Sequence, residues 1–261
     1  MATRSMLVVM CCFALLESSL GAMKYVDLSH SLNSQTHHWP ANKDFEQTVI
    51  ANGTSPNGGW YANNDMSLGE HTGTHLDAPA HFAMNKDVFY ASTIPVERLV
   101  RPLSIINLAD KAVADRDYYA TAHDILEWER RYGMIPRGGI VIFNYEWAKH
   151  WNSHDDIFGS NSFDPSTFHF PGVGLCAARV LAIRGVYGVG IDTPSMDYGQ
   201  SEGSPVHKYL MERNVFFLEL VGDMSALPDG GKGVTLMVGA MKIDGGTGGP
   251  VRLIAMFDDA E

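Results

Sequence analysis

E-H-T-G-T-H-L-D-A-P-A-H-F, residues 70–82, sets three imidazoles and a carboxylate (His71, His75, His81 and Asp77) within eleven residues that also hold Gly73 and Pro79. A divalent ion such as zinc holds imidazole nitrogen and carboxylate oxygen at about 2.0–2.2 Å, so its ligating atoms must crowd to within roughly 3–3.5 Å of one another. In an extended strand His71 and His75 would stand about 13 Å apart. A helix is opposed by Gly73 and stopped by Pro79, which drives Ala78 toward an extended conformation. The segment must therefore fold back. The expectation is a strand ending at His71, a tight turn through Thr72, Gly73 and Thr74, and a short extended piece to His81.

Two other readings compete. His-x-x-x-His is also the helical pair of metalloproteases, but Thr72 stands where the glutamate should follow the first histidine. The other is a polar turn whose histidines satisfy backbone groups, against which stands the density of four ligating side chains.

Outward from the motif, apolar alternation and β-branched content predict strands near residues 24–28, 47–51, 103–108, 140–145, 186–191, 215–221, 234–243 and 251–257. A helix opens at Thr121, with an acidic residue three positions on and Gly133 behind it. Another spans 175–184 and ends at Gly185. In a third, Ser204 caps and Pro205 takes the first helical position, with Asn214 at the end. Strands outnumber helices, so the expected fold is a single α/β domain with a mixed sheet rather than a doubly wound parallel one.

The 261 residues are 45% hydrophobic and 19% charged, ordinary for one globular domain with a substantial core. Residues 1–21 read as a secretory signal peptide: Arg4, then an apolar run from Leu7 to Leu16, then Ser19-Leu20-Gly21 as a cleavage site. That run is too short to span a bilayer. The mature domain is expected over 22–261, outside the cell and without a membrane anchor. Cys11 and Cys12 fall in the leader, which leaves Cys176 without an internal partner and expected as a buried, inert thiol. Asn52-Gly53-Thr54 is a glycosylation sequon, expected in an exposed loop. A net charge of −11, with 30 acidic and 19 basic residues and no basic run, argues against a nucleic-acid partner.

Glu219 lies inside V-F-F-L-E-L-V, where a buried carboxylate needs a cation or hydrogen bonds. His207, in the preceding helix, could meet it across the turn as a second ligand set. The alternative leaves Glu219 on a wet face and His207 at the surface. Asp192, at the carboxyl end of the strand ending at Ile191, either orients a ligand or caps a turn.

Residues 71–82 resemble the H-x-G-T-H-x-D-x-P-x-H-F signature of the metal-dependent cyclase-like hydrolases, the family of bacterial-type kynurenine formamidases and isatin hydrolases. Further stretches recur in the family's order: Phe170-Pro171-Gly172, Gly190 through Asp197, His207 with Glu219 twelve residues on, Lys242 through Gly246, and Pro250-Val251-Arg252. The resemblance implies a swivelling β/α/β-type fold, assembly as a homodimer or homotetramer, and one or two divalent ions. His71, His75 and Asp77 would hold one ion. Asp77 would bridge to a second, completed by His207 and Glu219. His81 matches the family's catalytic histidine, and Trp39-Pro40 its aromatic-Pro substrate segment.

Such a site suits hydrolysis of an amide C–N bond. A metal lowers the pKa of bound water toward about 7 and polarises a carbonyl, so metal-bound hydroxide is the expected nucleophile and His81 the proton shuttle. Histidine and carboxylate ligands without thiolate suit zinc or manganese alike. The expected substrate is a small aryl formamide such as N-formylkynurenine, or a cyclic amide such as isatin, bound against Trp39. Trp60, Tyr61 and Phe82 are expected in the core, and His37 and His38 in loop roles. A secreted binding or matrix protein of the same fold without turnover is the reading from another class.

Overall fold

Aliphatic and β-branched runs build the centre of the molecule. The computed structural model describes residues 22–258, so the expected leader lies outside the described residues. Its strands are β1 (Met23–Asp27), β2 (Glu46–Thr54), β3 (Trp60–Ser67), β4 (His75–Asp77), β5 (Val100–Asn107), β6 (Tyr119–Ala120), β7 (Ile140–Asn144), β8 (Gly172–Val173), β9 (Gly188–Ile191), β10 (Phe216–Glu219), β11 (Thr235–Ala240) and β12 (Gly248–Asp258). The helices are α1 (Ala109–Ala114), α2 (Ala122–Tyr132), α3 (His154–Phe158), α4 (Leu175–Arg184) and α5 (Pro205–Met211).

Strands β5, β7, β9 and β10 run parallel in that order. The three-residue β4 pairs antiparallel with β10 and also with β12, which runs on beside β11 and so back to β5. The mixed sheet thereby closes into a barrel-like ring, with β1 added along β12. Parallel strands covered on both faces must be apolar throughout. Leu103, Ile105, Ile140, Ile142, Phe216 and Leu218 form one buried cluster, while Ile106, Val141, Phe143, Val189 and Phe217 pack in another with Ala177, Leu181 and Leu210 of the helices. Each such side chain contributes about 1.5–3 kcal/mol on burial, and the described residues hold this fold with no disulfide.

Local signals were obeyed in two helices. Thr121 Oγ1 accepts Asp124 N at 3.3 Å and Asp124 Oδ2 accepts Thr121 N at 2.7 Å, a full capping box for α2. Helix α4 ends at Gly185 as expected.

Other expectations fail. Ser204 does not cap α5; it sits at φ 52° with no capping bond, and Asp197 accepts Val206 N and His207 N instead, each at 3.1 Å. No strand reaches His71, since β3 stops at Ser67, and the extended piece after the turn stops at Asp77, where Pro79–His81 tightens into a 3-10 turn. The sequon is not in a loop: Asn52 stands exposed within β2. Cys176 is exposed, on the outer side of α4. Trp60 and Tyr61 are not core residues; they are 72% and 56% exposed on the β2–β3 hairpin, which makes no pairing with the main sheet. No helix among the described residues is long and apolar enough to cross a membrane.

Candidate metal centre

The turn after His71 depends on Gly73, at φ +62°, where an added Cβ would come within 2.8 Å of the Leu32 side chain. The chain then enters β4, in which successive side chains face opposite ways. His75 and Asp77 stand on one face and Leu76 on the other. In register with β4, Glu219 lies opposite His75 and Phe217 opposite Asp77, so Glu219 shares the face of both candidate ligands. Helix α5 covers that face and delivers His207. Two segments more than 120 residues apart in the chain are joined by a single antiparallel pairing.

The donors converge tightly. Asp77 Oδ1 lies 2.6 Å from His71 Nδ1 and 3.1 Å from His75 Nε2, while Asp77 Oδ2 is 3.6 Å from His207 Nε2. Glu219 reaches His75 Nε2 at 3.6 Å and His207 Nε2 at 3.4 Å. The other ring nitrogens are occupied. His75 Nδ1 lies 2.9 Å from Gly73 O and His207 Nδ1 2.6 Å from Asp197 Oδ2, so each donates its N–H outward and turns Nε2 toward the carboxylates. Met196 N donates to Glu219 Oε1 at 2.7 Å and fixes that carboxylate.

Two groups of ligand atoms lie within 4.8 Å of one another: His71, Asp77 and His81, and His75, Asp77 and Glu219. Asp77 belongs to both, as a bridging carboxylate would. His81, expected to stand apart from the ligands, stacks on the His71 ring at 3.9 Å and has a ring nitrogen within ligand range. Sequence spacing grouped all four side chains, and only the family resemblance set His81 aside as the catalytic histidine; the folded turn brings His71, His75 and His81 all to Asp77.

Electrostatics favour a cation here. Burial opposes charging of His75, yet Asp77 and Glu219 overcome it and its pKa rises to about 9. Burial likewise works against His207, and Asp197, Asp77 and Glu219 raise it well above the usual imidazole range. Burial would raise Asp77, but His75, His207 and His71 hold it well below the carboxylate range. His81 goes the other way: burial, aided by the neighbouring imidazoles and opposed by Asp77, lowers its pKa to about 4. Buried carboxylates, convergent imidazole nitrogens and no thiolate fit a divalent metal of the zinc or manganese kind.

The cluster floors a cavity of about 560 Å³ whose apolar wall includes Trp39, Phe82 and Phe158. Trp39 is half-buried, edge-on to Phe168 at 5.5 Å, and Phe82 lies 4.6 Å from His207. Phe82 thus packs against the core, as expected, and also walls the cavity. His38 also lines the cavity and bonds Asp44 at 2.7 Å, while His37 holds Trp151 O at 2.7 Å. Gln200, Ser201 and Glu202 complete the polar side; among the described residues no lysine or arginine lines it. Asp192 settles as a turn cap, accepting Tyr145 N and Trp147 N. Sequence reasoning missed Asp197 as the partner of His207, although a carboxylate ten residues before a candidate ligand in a Gly-rich loop is a usable signal.

Against known protein families, residues 26–198 match the Cyclase model, described as "Putative cyclase". An isatin hydrolase of Roseibium aggregatum is 33% identical over 209 residues, 78% of each chain. A kynurenine formamidase of Salinibacter ruber is 28% identical over 237 residues, covering 89% of this chain and 97% of its own. The crystal structure of an isatin hydrolase bound to the product analogue thioisatinate is similar with a TM-score of 0.82 at 29% identity, over 99% of this chain and 100% of that one. With its fold, its ligand-rich cavity and a family match over well more than half its length, this chain belongs to the cyclase family of metal-dependent hydrolases.

Proposed function

We propose that this protein hydrolyses the C–N bond of a small, uncharged cyclic amide fused to an aromatic ring, the class to which isatin belongs. The observation that carries the reading is the meeting of His71, His75, Asp77, His207 and Glu219 beneath an aromatic-walled cavity that holds no lysine or arginine among the described residues. Such a wall suits a flat neutral ring and, among the described residues, offers no lysine or arginine to pair with the carboxylate of a substrate such as N-formylkynurenine. The similarity to an isatin hydrolase supports the same choice; the kynurenine formamidase similarity makes an aryl formamide the second reading.

His71, His75, Asp77, His207 and Glu219 would hold the metal, which supplies Lewis acidity toward a carbonyl and lowers the pKa of water. Trp39, Phe82 and Phe158 hold the aromatic ring and exclude water from its face. His81, with its pKa lowered to about 4, is neutral at pH 7 and can take a proton on a ring nitrogen. It receives that proton as water adds to the carbonyl and returns it to the departing nitrogen, so the C–N bond breaks to an amine and a carboxylic acid, which releases its proton to solvent as the carboxylate.

Metal analysis of purified protein followed by parallel assays on isatin and N-formylkynurenine tests the reading. Bound zinc or manganese with turnover of isatin supports it. Turnover of N-formylkynurenine alone replaces the substrate, and metal without either activity favours the binding-protein reading. Export through residues 1–21 and assembly as a homodimer or homotetramer belong to the same proposal, and N-terminal sequencing of secreted protein and light scattering test them.

A further inference from the structure

His71 differs from the other two histidines in how its ring is held. Its Nδ1 faces Asp77, so its outward nitrogen is Nε2, which lies 3.3 Å from Thr247 Oγ1. Thr247 Oγ1 in turn lies 2.6 Å from Glu70 Oε2, the same oxygen that accepts Thr247 N at 2.9 Å. A carboxylate can only accept, so the hydroxyl proton goes to Glu70 and the hydroxyl oxygen is left to accept His71 Nε2–H. The surrounding backbone is built for this contact. An added Cβ at Gly248 would come within 2.7 Å of His71 Cε1, and one at Gly246 within 3.2 Å of Glu70 Oε1. Thr247 O also accepts Ala78 N at 2.8 Å, tying the segment to the end of β4.

We infer that Glu70 and Thr247 form a positioning relay that holds His71 as its Nε2–H tautomer and presents Nδ1 to the metal, the reverse of the nitrogen used by His75 and His207. The relay rests on the metal reading of the cluster. Neither residue touches substrate; both act through the ring of His71. Outer partners of ligating histidines set metal affinity by about 10- to 100-fold.

The test measures Zn²⁺ and Mn²⁺ affinity by competition with a chromogenic chelator, together with the visible spectrum of the Co²⁺-loaded protein, for the parent, Thr247→Val, Thr247→Ser and Glu70→Gln. Thr247→Val keeps the shape and removes the hydroxyl, so affinity should fall about 10- to 100-fold and the Co²⁺ bands should move. Thr247→Ser should restore both, and Glu70→Gln, whose amide oxygen still accepts, should fall between. A merely structural threonine would lower the thermal midpoint of the metal-free protein without this rescue pattern. Parent-like affinity in Thr247→Val, or equal losses in the valine and serine variants, overturns the relay alone. A parent that binds neither ion overturns the metal reading and the relay together.

Discussion

Asp197 carries more of the site than any residue outside the ligand set, and replacing it separates folding from metal positioning. Its carboxylate accepts Val206 N and His207 N at 3.1 Å each, His207 Nδ1 at 2.6 Å and Ser201 Oγ at 3.3 Å. Asp197→Ala strands two buried N–H groups of α5, at about 1–3 kcal/mol each, and removes a charge-assisted bond worth about 1.5–3 kcal/mol. Partial relaxation keeps the total near the low end of that sum, about 3–5 kcal/mol. For a domain of this size that lowers the thermal midpoint by about 10 °C. Asp197→Asn retains one acceptor oxygen, which stays with His207 while the amide NH₂ confronts Val206 N–H, so the loss should be about 1–2 kcal/mol. Metal affinity, read by chelator competition, should fall about 10- to 100-fold in the alanine variant, whose His207 ring is free to turn, and less in the asparagine variant. Thermal unfolding of the metal-free proteins gives the stability half. Equal losses in the two variants, or an alanine variant within about 1 kcal/mol of the parent, would refute the reasoning.

His81→Ala should lower kcat about 10²- to 10⁴-fold while leaving metal content intact; loss of metal would make His81 a ligand, as its place beside His71 and Asp77 permits. His30 and His81 each have a pKa lowered from 6.5 to about 4, chiefly by burial. The unfolded chain therefore takes up protons first, and the metal-free protein should lose stability as pH falls from about 6.5 toward about 4. His30→Phe, which keeps the stack on Trp151 at 3.8 Å, should flatten that decline in thermal unfolding; an unchanged slope counts against it. His75 acts in the opposite direction, its contribution present below 6.5 and lost as pH rises through about 9, so the metal-free midpoint should also drop on the alkaline side. Trp39→Ala should raise KM for an aryl substrate several-fold with kcat little changed, and a lowered kcat at constant KM would remove Trp39 from the binding wall.

Where a structural rule acts over a few residues, it was legible. The capping box at Thr121, the apolar run of α4 and the apolar strands of the sheet depend on neighbours in sequence and appear where spacing put them. The β3 arm of the hairpin was not legible, because a strand exposed on both faces has no apolar alternation to read. Nor was the true cap of α5, since Asp197 reaches that helix only after an intervening loop folds back. Thr247 bonds Glu70 across 177 positions, a separation no local pattern spans.

The amino-acid sequence by itself determined the chemistry: imidazoles and carboxylates crowded around a glycine turn, with a second carboxylate in an apolar strand. The tertiary structure alone decided which nitrogen each histidine turns inward, that His81 joins Asp77, and that Glu219 shares the face of His75. The last of these follows from the register of β4 against β10, where a one-residue slip would turn every side chain to the opposite face; the nitrogens are set by Gly73 O, Asp197 and Thr247, and His81 by the 3-10 turn.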